Sequence, residues 1–302
     1  MKRGLLSLYD LTARDADRIF ADAKVLKANQ KKGIPYRPLA GKTLAMIFEK
    51  PSTRTRVSFE VGMFQLGGQS IFLDTGDLQM ARGESIKDTA RTLSRYVDGI
   101  LMRGYHQEDL EEMAKYADVP VINGLTDLLH PCQVLSDVFT IIEKKGSYKE
   151  IVVAYIGDGN NIANSWIEGA ALLGFPLVIA CPESYPPSKK IIDRAKQQAA
   201  NIKIVHDPGQ AARGADVVST DVWVSMGQES QGEGKAKAFA GFRVDARLMS
   251  LAKKDAIVMH CLPAHRGEEI TEDVLEGASS AIFDQAENRL HVQKAILKFL
   301  LV

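Results

Sequence analysis

Apolar runs alternate with helix-spaced apolar positions along most of the chain, and this alternation predicts the architecture. A charged amphipathic pattern predicts a helix over 13–30. Apolar runs at 43–48, 70–73, 99–102 and 119–122 read as strands, separated by helical patterns at 53–66, 85–96, 108–116 and 131–145. A second series follows, with strand 151–156, helix 162–173, strand 177–180 and helix 188–200. Strands at 203–205, 217–219, 256–259 and 281–283 precede a last helix from about 285 to 301. The run 151–156 is almost continuously apolar, the pattern of a strand covered on both faces. Repetition of strand and helix in both halves predicts an α/β chain with two domains, each a parallel sheet flanked by helices. Lys144, Lys145 and Gly146 end a helix inside the polar stretch 143–150, which places the boundary there. The stretch 225–241 is polar, carries Gly227, Gly232, Gly234 and Gly241, and reads as a loop or a lid over a site.

Composition narrows the functional classes. The 302 residues are 45% hydrophobic and 25% charged, which suits two globular domains and excludes a disordered or fibrous chain. Lys plus Arg and Asp plus Glu each number 38, so no net charge draws the chain to nucleic acid or to an anionic membrane, and neither partner is expected. No segment reaches the ~18 uncharged apolar residues of a membrane span, and the first apolar run is too short for a signal peptide. Cys132, Cys181 and Cys261 are odd in number and widely spaced, which gives no disulfide framework and leads us to expect a cytoplasmic protein.

Ligands of parallel sheets bind beyond the carboxyl ends of strands, and polar groups concentrate there. After the first strand, Ser52-Thr53-Arg54-Thr55-Arg56 opens a helix. Its first turn combines backbone N–H donors, the positive end of the dipole, hydroxyls and a guanidinium fork, which is what a small phosphate needs. The glycines and lysine of a nucleotide-binding P-loop are missing. Arg103 ends the apolar strand 99–102, and His130-Pro131-Cys132-Gln133 starts a helix with proline at a tolerated first position. With the Ser-Thr-Arg run, these residues could polarise a carbonyl beside a phosphate.

In the second half Gly157-Asp158-Gly159-Asn160-Asn161 joins a strand to a helix, superficially like a dinucleotide-binding turn. The third glycine is absent, and the next strand ends in Cys181 without an acid for a ribose, so nicotinamide binding is disfavoured. The amides of Asn160 and Asn161 stand ready for a small polar ligand. Asp221 follows another strand and suits a ligand ammonium. His260-Cys261-Leu262-Pro263-Ala264-His265 follows the next; its spacing matches no standard zinc site, and a buried structural His260 or a Cys-His acyl-transfer pair both fit.

Together these motifs resemble the aspartate/ornithine carbamoyltransferase family over essentially the whole chain. Ser52-Thr53-Arg54-Thr55-Arg56 and His130-Pro131-Cys132-Gln133 match its carbamoyl phosphate motifs, and the stretch from Asp221 to Gly227 with His260-Cys261-Leu262-Pro263 matches its ornithine branch. The resemblance implies a carbamoyl phosphate-binding domain over 1–146, an ornithine-binding domain over 147–284, and a terminal helix 285–302 that returns to the first domain. It implies transfer of the carbamoyl group to the side-chain amine of L-ornithine, giving L-citrulline and phosphate, without metal or organic cofactor. Ser52, Thr53, Arg54 and Thr55 would hold the phosphate, Arg103 would bridge phosphate and carbonyl with Thr55 and His130, and Gln133 would orient the carbamoyl amide. Pro131, Cys132, Cys261, Leu262 and Arg289 complete that half-site, and Gln79 would reach a neighbouring subunit, which implies a homotrimer or a multiple of it. Asn161, Asp221, Ser225 and Met226 would clamp ornithine, and the catalytic set is Arg103, His130, Cys261 and Asp221. The competing expectations are a sister enzyme for acetylornithine or putrescine, a nicotinamide dehydrogenase, and a non-catalytic phosphate-binding protein.

Overall fold

The computed structural model describes residues 4–224 and 232–302, the side chains of 232 and 233 excepted. The chain forms two compact units, Met1–Ser136 with Glu287–Val302, and Asp137–Ala286. Both divisions fall inside helices, so the units do not end where secondary-structure elements end.

The first unit is built on four parallel strands, β1 (Thr43–Phe48), β2 (Gln69–Asp74), β3 (Gly99–Arg103) and β4 (Val121–Leu125), in the order β2-β1-β3-β4. Helices α1 (Ala13–Lys31), α2 (Thr53–Gln65), α3 (Ile86–Leu93) and α4 (Gln107–Tyr116) alternate with them. Every residue of β3 is buried, as expected of an inner strand covered on both faces. Ile47, Ile100 and Met102 pack with Leu110 and Met113 of α4 in one core cluster. The unit also takes the start of α5 (Pro131–Lys145) and most of α12 (Ile282–Leu301). Four polar contacts fasten α12 there. Lys27 Nζ donates to Asn288 Oδ1 (2.7 Å), Lys298 Nζ to Asp22 Oδ1 (2.8 Å), and Lys294 Nζ to Gln30 Oε1 (2.6 Å) and Gln65 Oε1 (2.8 Å). The expected return of the terminal helix is thus observed.

The second unit holds five parallel strands, β5 (Val153–Ile156), β6 (Leu177–Ala180), β7 (Ile202–Val205), β8 (Val217–Thr220) and β9 (Ile257–His260), in the order β7-β6-β5-β8-β9. Its helices include α6 (Asn161–Leu173), α7 (Lys189–Gln197) and α9 (Gly232–Phe239), with one-turn helices α8 (Pro208–Ala212), α10 (Ala246–Met249) and α11 (Glu272–Leu275). These short helices are too brief to carry a periodic signal in the sequence.

Two expectations are corrected. Residues 281–283 form no strand: Val258 makes a single bridge with Ser280, and α12 begins at Ile282. Ala281 and Ile282 are buried while Phe283 is exposed, so three adjacent apolar residues belong to a helix start, which so short a run cannot distinguish from a strand. The stretch 225–241 is not loop throughout, because α9 occupies much of it; residues 225–231, with Ser225 and Met226, lie outside the described residues. Glycines hide this helix. Phe239 stacks on Trp223 (5.8 Å between centroids, 26°) and packs against Tyr185 and Phe242, and such tertiary burial stabilises a helix whose own propensity is poor.

Strand order reverses between β1 and β3 in one sheet and between β5 and β8 in the other. At such switch points the loops leaving adjacent strands diverge and open a crevice. The loops concerned start at Glu49 and Gly104 in the first unit, and at Gly157 and Asp221 in the second.

Burial on α12 pushes the His291 imidazole down to about 4, helped by Lys294 and Lys27 and opposed by Glu287. A histidine neutral in the folded chain but protonated when unfolded gives stability that is complete above about pH 6.5 and lost as pH falls toward 4. We expect a His291→Gln variant to lose less stability than the parent between pH 7 and pH 5 in urea unfolding. Equal losses in both proteins would remove His291 from the acid response.

Candidate active site

Ser52 leaves β1 in extended conformation and caps α2, its Oγ accepting the Thr55 N–H (3.2 Å). This places Thr53, Arg54 and Thr55 in the first turn, where the helix dipole favours an anion. The Thr55 hydroxyl is buried and accepts a hydrogen bond from Arg289 Nη2 (2.9 Å), so α12 delivers a second arginine to the start of α2. In an exposed first turn Arg289 would face water; here it is 4% exposed. Arg103, at the end of β3, is also buried.

His130 lies within the field of all three guanidiniums. Its pKa is held well below the ordinary histidine value, first by burial and then by the charges of Arg289, Arg103 and Arg54. The imidazole is therefore neutral at physiological pH and adds no fourth positive charge. Gln133, one turn into α5, is buried, with its N–H on the His130 carbonyl (3.1 Å). The Cys132 thiol faces the Asn123 carbonyl (3.4 Å) and burial raises it to about 12, which makes it an inert core group. The structure thus brings Ser52, Thr55, Arg54, Arg103, His130, Gln133 and Arg289 into one half-site. Gln79 stands apart, exposed on a 3₁₀ turn (Gln79–Arg82).

A cleft of about 440 Å³ runs along the start of α2, lined by Lys50, Ser52, Thr53 and Arg56 among others. Lys50 was missed in the sequence. It is buried, pairs with Asp127 and lies 4.1 Å from the Tyr105 ring centroid. Its only signal was its position between a strand end and the Ser-Thr-Arg run. Glu49 was likewise missed; its carboxylate accepts the Tyr105 N–H (3.0 Å) and ties together the loops after β1 and β3.

The second unit presents a buried carboxylate. Asp221 Oδ1 accepts from the Val222 N–H (2.9 Å) and from the Cys261 thiol (3.0 Å), and Oδ2 from Asn160 Nδ2 (2.8 Å). A carboxylate has about four acceptor positions, so three donors orient Asp221 and leave capacity for one more, such as an ammonium. Cys261 is thereby committed to Asp221. His260 is committed elsewhere: Nδ1 accepts the Leu262 N–H (2.8 Å), which leaves the proton on Nε2 to donate to buried Glu269 (3.0 Å). The Cys-His acyl-transfer alternative is overturned, and the structural reading of His260 holds. This bond also holds Leu262 at φ +60°, a conformation that side chains rarely adopt.

The dinucleotide alternative fails at α6. Asn160 Oδ1 caps this helix by accepting from the N–H groups of Ile162 (2.9 Å) and Ala163 (3.2 Å), so the donors a pyrophosphate needs are occupied. Gly159 serves packing, since a Cβ there would lie 2.2 Å from the Pro186 carbonyl carbon. The Asn160 side chain is spent on the cap and on Asp221, and Asn161 stands at the first helical position. For a metal, Asp221, His260 and Cys261 each bring one ligand atom within 4.8 Å of the others, but the bonds just described would have to break to receive it.

Comparisons with known proteins match both halves of the chain. The carbamoyl-P binding domain of aspartate/ornithine carbamoyltransferase matches residues 3–143, and the Asp/Orn binding domain matches 149–300. An ornithine carbamoyltransferase of Syntrophus aciditrophicus is 59% identical and one of Geobacter metallireducens 56%, each over all of both chains. The solved structure of ornithine carbamoyltransferase from Pyrococcus furiosus superposes with a TM-score of 0.95 at 53% identity, covering 99% of this chain and 97% of that one. Two family domains in order, and relatives alike from end to end, establish that the chain belongs to the aspartate/ornithine carbamoyltransferase family.

Proposed function

We propose that this enzyme transfers the carbamoyl group of carbamoyl phosphate to the side-chain amine of L-ornithine, yielding L-citrulline and phosphate. The observation that carries the reading is the half-site of Arg54, Arg103 and Arg289 around a neutral His130 at the start of α2. Three positive charges, hydroxyls and a helix N-terminus suit a phosphorylated substrate, and His130 and Thr55 offer N–H and O–H donors for a developing oxyanion.

Ornithine's side-chain amine resembles lysine, with a pKa of ~10.4, and must lose a proton before it attacks. Its nitrogen lone pair adds to the carbonyl carbon, and the resulting oxyanion is stabilised by Arg103, Thr55 and His130. Collapse breaks the bond from carbon to the phosphate oxygen, phosphate leaves with the electron pair, and one of the two protons on the attacking nitrogen passes to the departing phosphate. Ser52, Thr53, Arg54 and Thr55 hold that phosphate, and Gln133 orients the carbamoyl amide. Asp221 receives the α-ammonium, Asn161 the carboxylate, and Ser225 and Met226 complete the clamp, with Cys261 and Leu262 beside the reacting amine. Acetylornithine and putrescine fit less well: the first lacks the α-ammonium that Asp221 would meet, the second the carboxylate for Asn161.

The same reading places the enzyme in the arginine metabolism of the cytoplasm, which three unbridged cysteines suit, and makes it a homotrimer to which Gln79 contributes from a neighbouring subunit. An exposed apolar face supports self-association: Val57 and Phe64 lie a heptad apart on α2, Phe64 78% exposed, and Ile71 is exposed on the edge strand β2.

Ureido-product formation from carbamoyl phosphate should occur with ornithine and stay far lower with acetylornithine, putrescine or aspartate; a preference for another amine would sink the assignment of Asp221. Arg54→Ala and Arg103→Ala should each lower kcat/KM by roughly 10³-fold, whereas near-parental rates would end the phosphate reading. Light scattering should give three times the 33.1 kDa chain mass, or a multiple of that, and Phe64→Glu should shift it toward smaller species; a monomeric parent would refute the trimer.

A further inference from the structure

The proposed chemistry employs Asp221 but gives no role to Asp158, another buried carboxylate of the same unit. Asp158 follows β5 in the loop that ends at Asn161 and is 6% exposed. Burial raises its pKa and repulsion from Asp221 adds to the effect, so the two acids share one field. A buried cation answers Asp158: Lys235 Nζ on α9 donates to its Oδ2 at 2.5 Å, and also lies 5.3 Å from the Tyr185 ring centroid. Tyr185 in turn receives the Gly159 N–H on its carbonyl (3.1 Å) and packs its ring on Phe239, one turn after Lys235. The next residue of the loop, Asn160, holds Asp221. One continuous set of contacts therefore runs from Lys235 through loop 157–161 to Asp221.

A buried ion pair contributes little net stability, since desolvation offsets its attraction, but loss of one partner leaves the other charge uncompensated. We propose that Lys235 is a positioning residue for the amine substrate, pairing with Asp158 so that loop 157–161 is fixed and Asp221 alone of the two acids presents its negative charge to a single α-ammonium. This rests on the reading of Asp221 as the ornithine contact. It distinguishes Lys235 from a plain anchor of α9, because its effect runs through the charge of Asp158.

The test is steady-state kinetics of the full-length enzyme, with carbamoyl phosphate affinity measured separately by calorimetry in the absence of ornithine. Lys235→Met should raise the ornithine KM by at least ~10-fold and leave carbamoyl phosphate affinity unchanged, whereas Lys235→Arg should stay close to the parent. Asp158→Asn, which strands the lysine charge, should also raise the ornithine KM. The double variant Lys235→Met with Asp158→Asn removes both charges and should recover most of that loss, which no anchoring role predicts. Circular dichroism identifies folded variants, and Asp158→Asn with the double variant carry the test if Lys235→Met does not fold. An unshifted ornithine KM in folded Lys235→Met or Asp158→Asn, an equal loss of carbamoyl phosphate affinity, or a double variant no better than the singles would overturn the inference. If the parent enzyme fails to turn over ornithine, the functional reading falls and takes this inference with it; parental turnover with an unshifted variant defeats the inference alone.

Discussion

Three neighbouring guanidiniums, two of them buried, repel one another, and the first unit is organised to hold Arg54, Arg103 and Arg289 around His130 despite that repulsion. Each arrives on a different element: Arg54 in the first turn of α2, Arg103 at the end of β3, Arg289 on α12. The bond from Arg289 to the Thr55 hydroxyl joins the last helix to the second. Contacts of Lys294 and Lys298 with α1 and α2, and of Lys27 on α1 with Asn288, hold α12 against the unit. Burial first and then the same charges keep His130 neutral, so the feature that attracts an anion also helps set the protonation state of the group beside it.

The two strand-to-helix turns at the switch points use one local geometry in opposite ways. At α2 the cap is a serine, flanked by hydroxyls and arginines, and the turn attracts negative charge. At α6 the cap is Asn160, which takes two backbone donors with its oxygen and offers its amide N–H to Asp221. One helix N-terminus is left to an anion, whereas the other is closed and its loop stabilises a carboxylate suited to a cation. The division of labour between a phosphorylated and an aminated substrate follows from these caps.

Much of this was legible in the chain. Strand and helix alternation, the Ser-Thr-Arg run at a helix start, Arg103 at a strand end and Asp221 after another depend on residues adjacent in sequence, where hydrophobic period and capping chemistry act locally. α9 escaped detection because its glycines argue for a loop and its stability comes from Phe239 packing on Trp223. The apolar residues 281–283 suggested a strand because so short a run has no period of its own.

The sequence by itself determined the α/β architecture, the two strand-end chemistries and the residue types able to bind an anion and an ammonium, since each is written within a few neighbouring positions. Only the tertiary structure decided that Arg289 meets Thr55 across 234 positions, that His130 is neutral, that Cys261 serves Asp221 while His260 turns to Glu269, and that Lys235 answers Asp158. Those outcomes depend on burial and on charges brought together from distant segments, and neither is encoded at any single position of the chain.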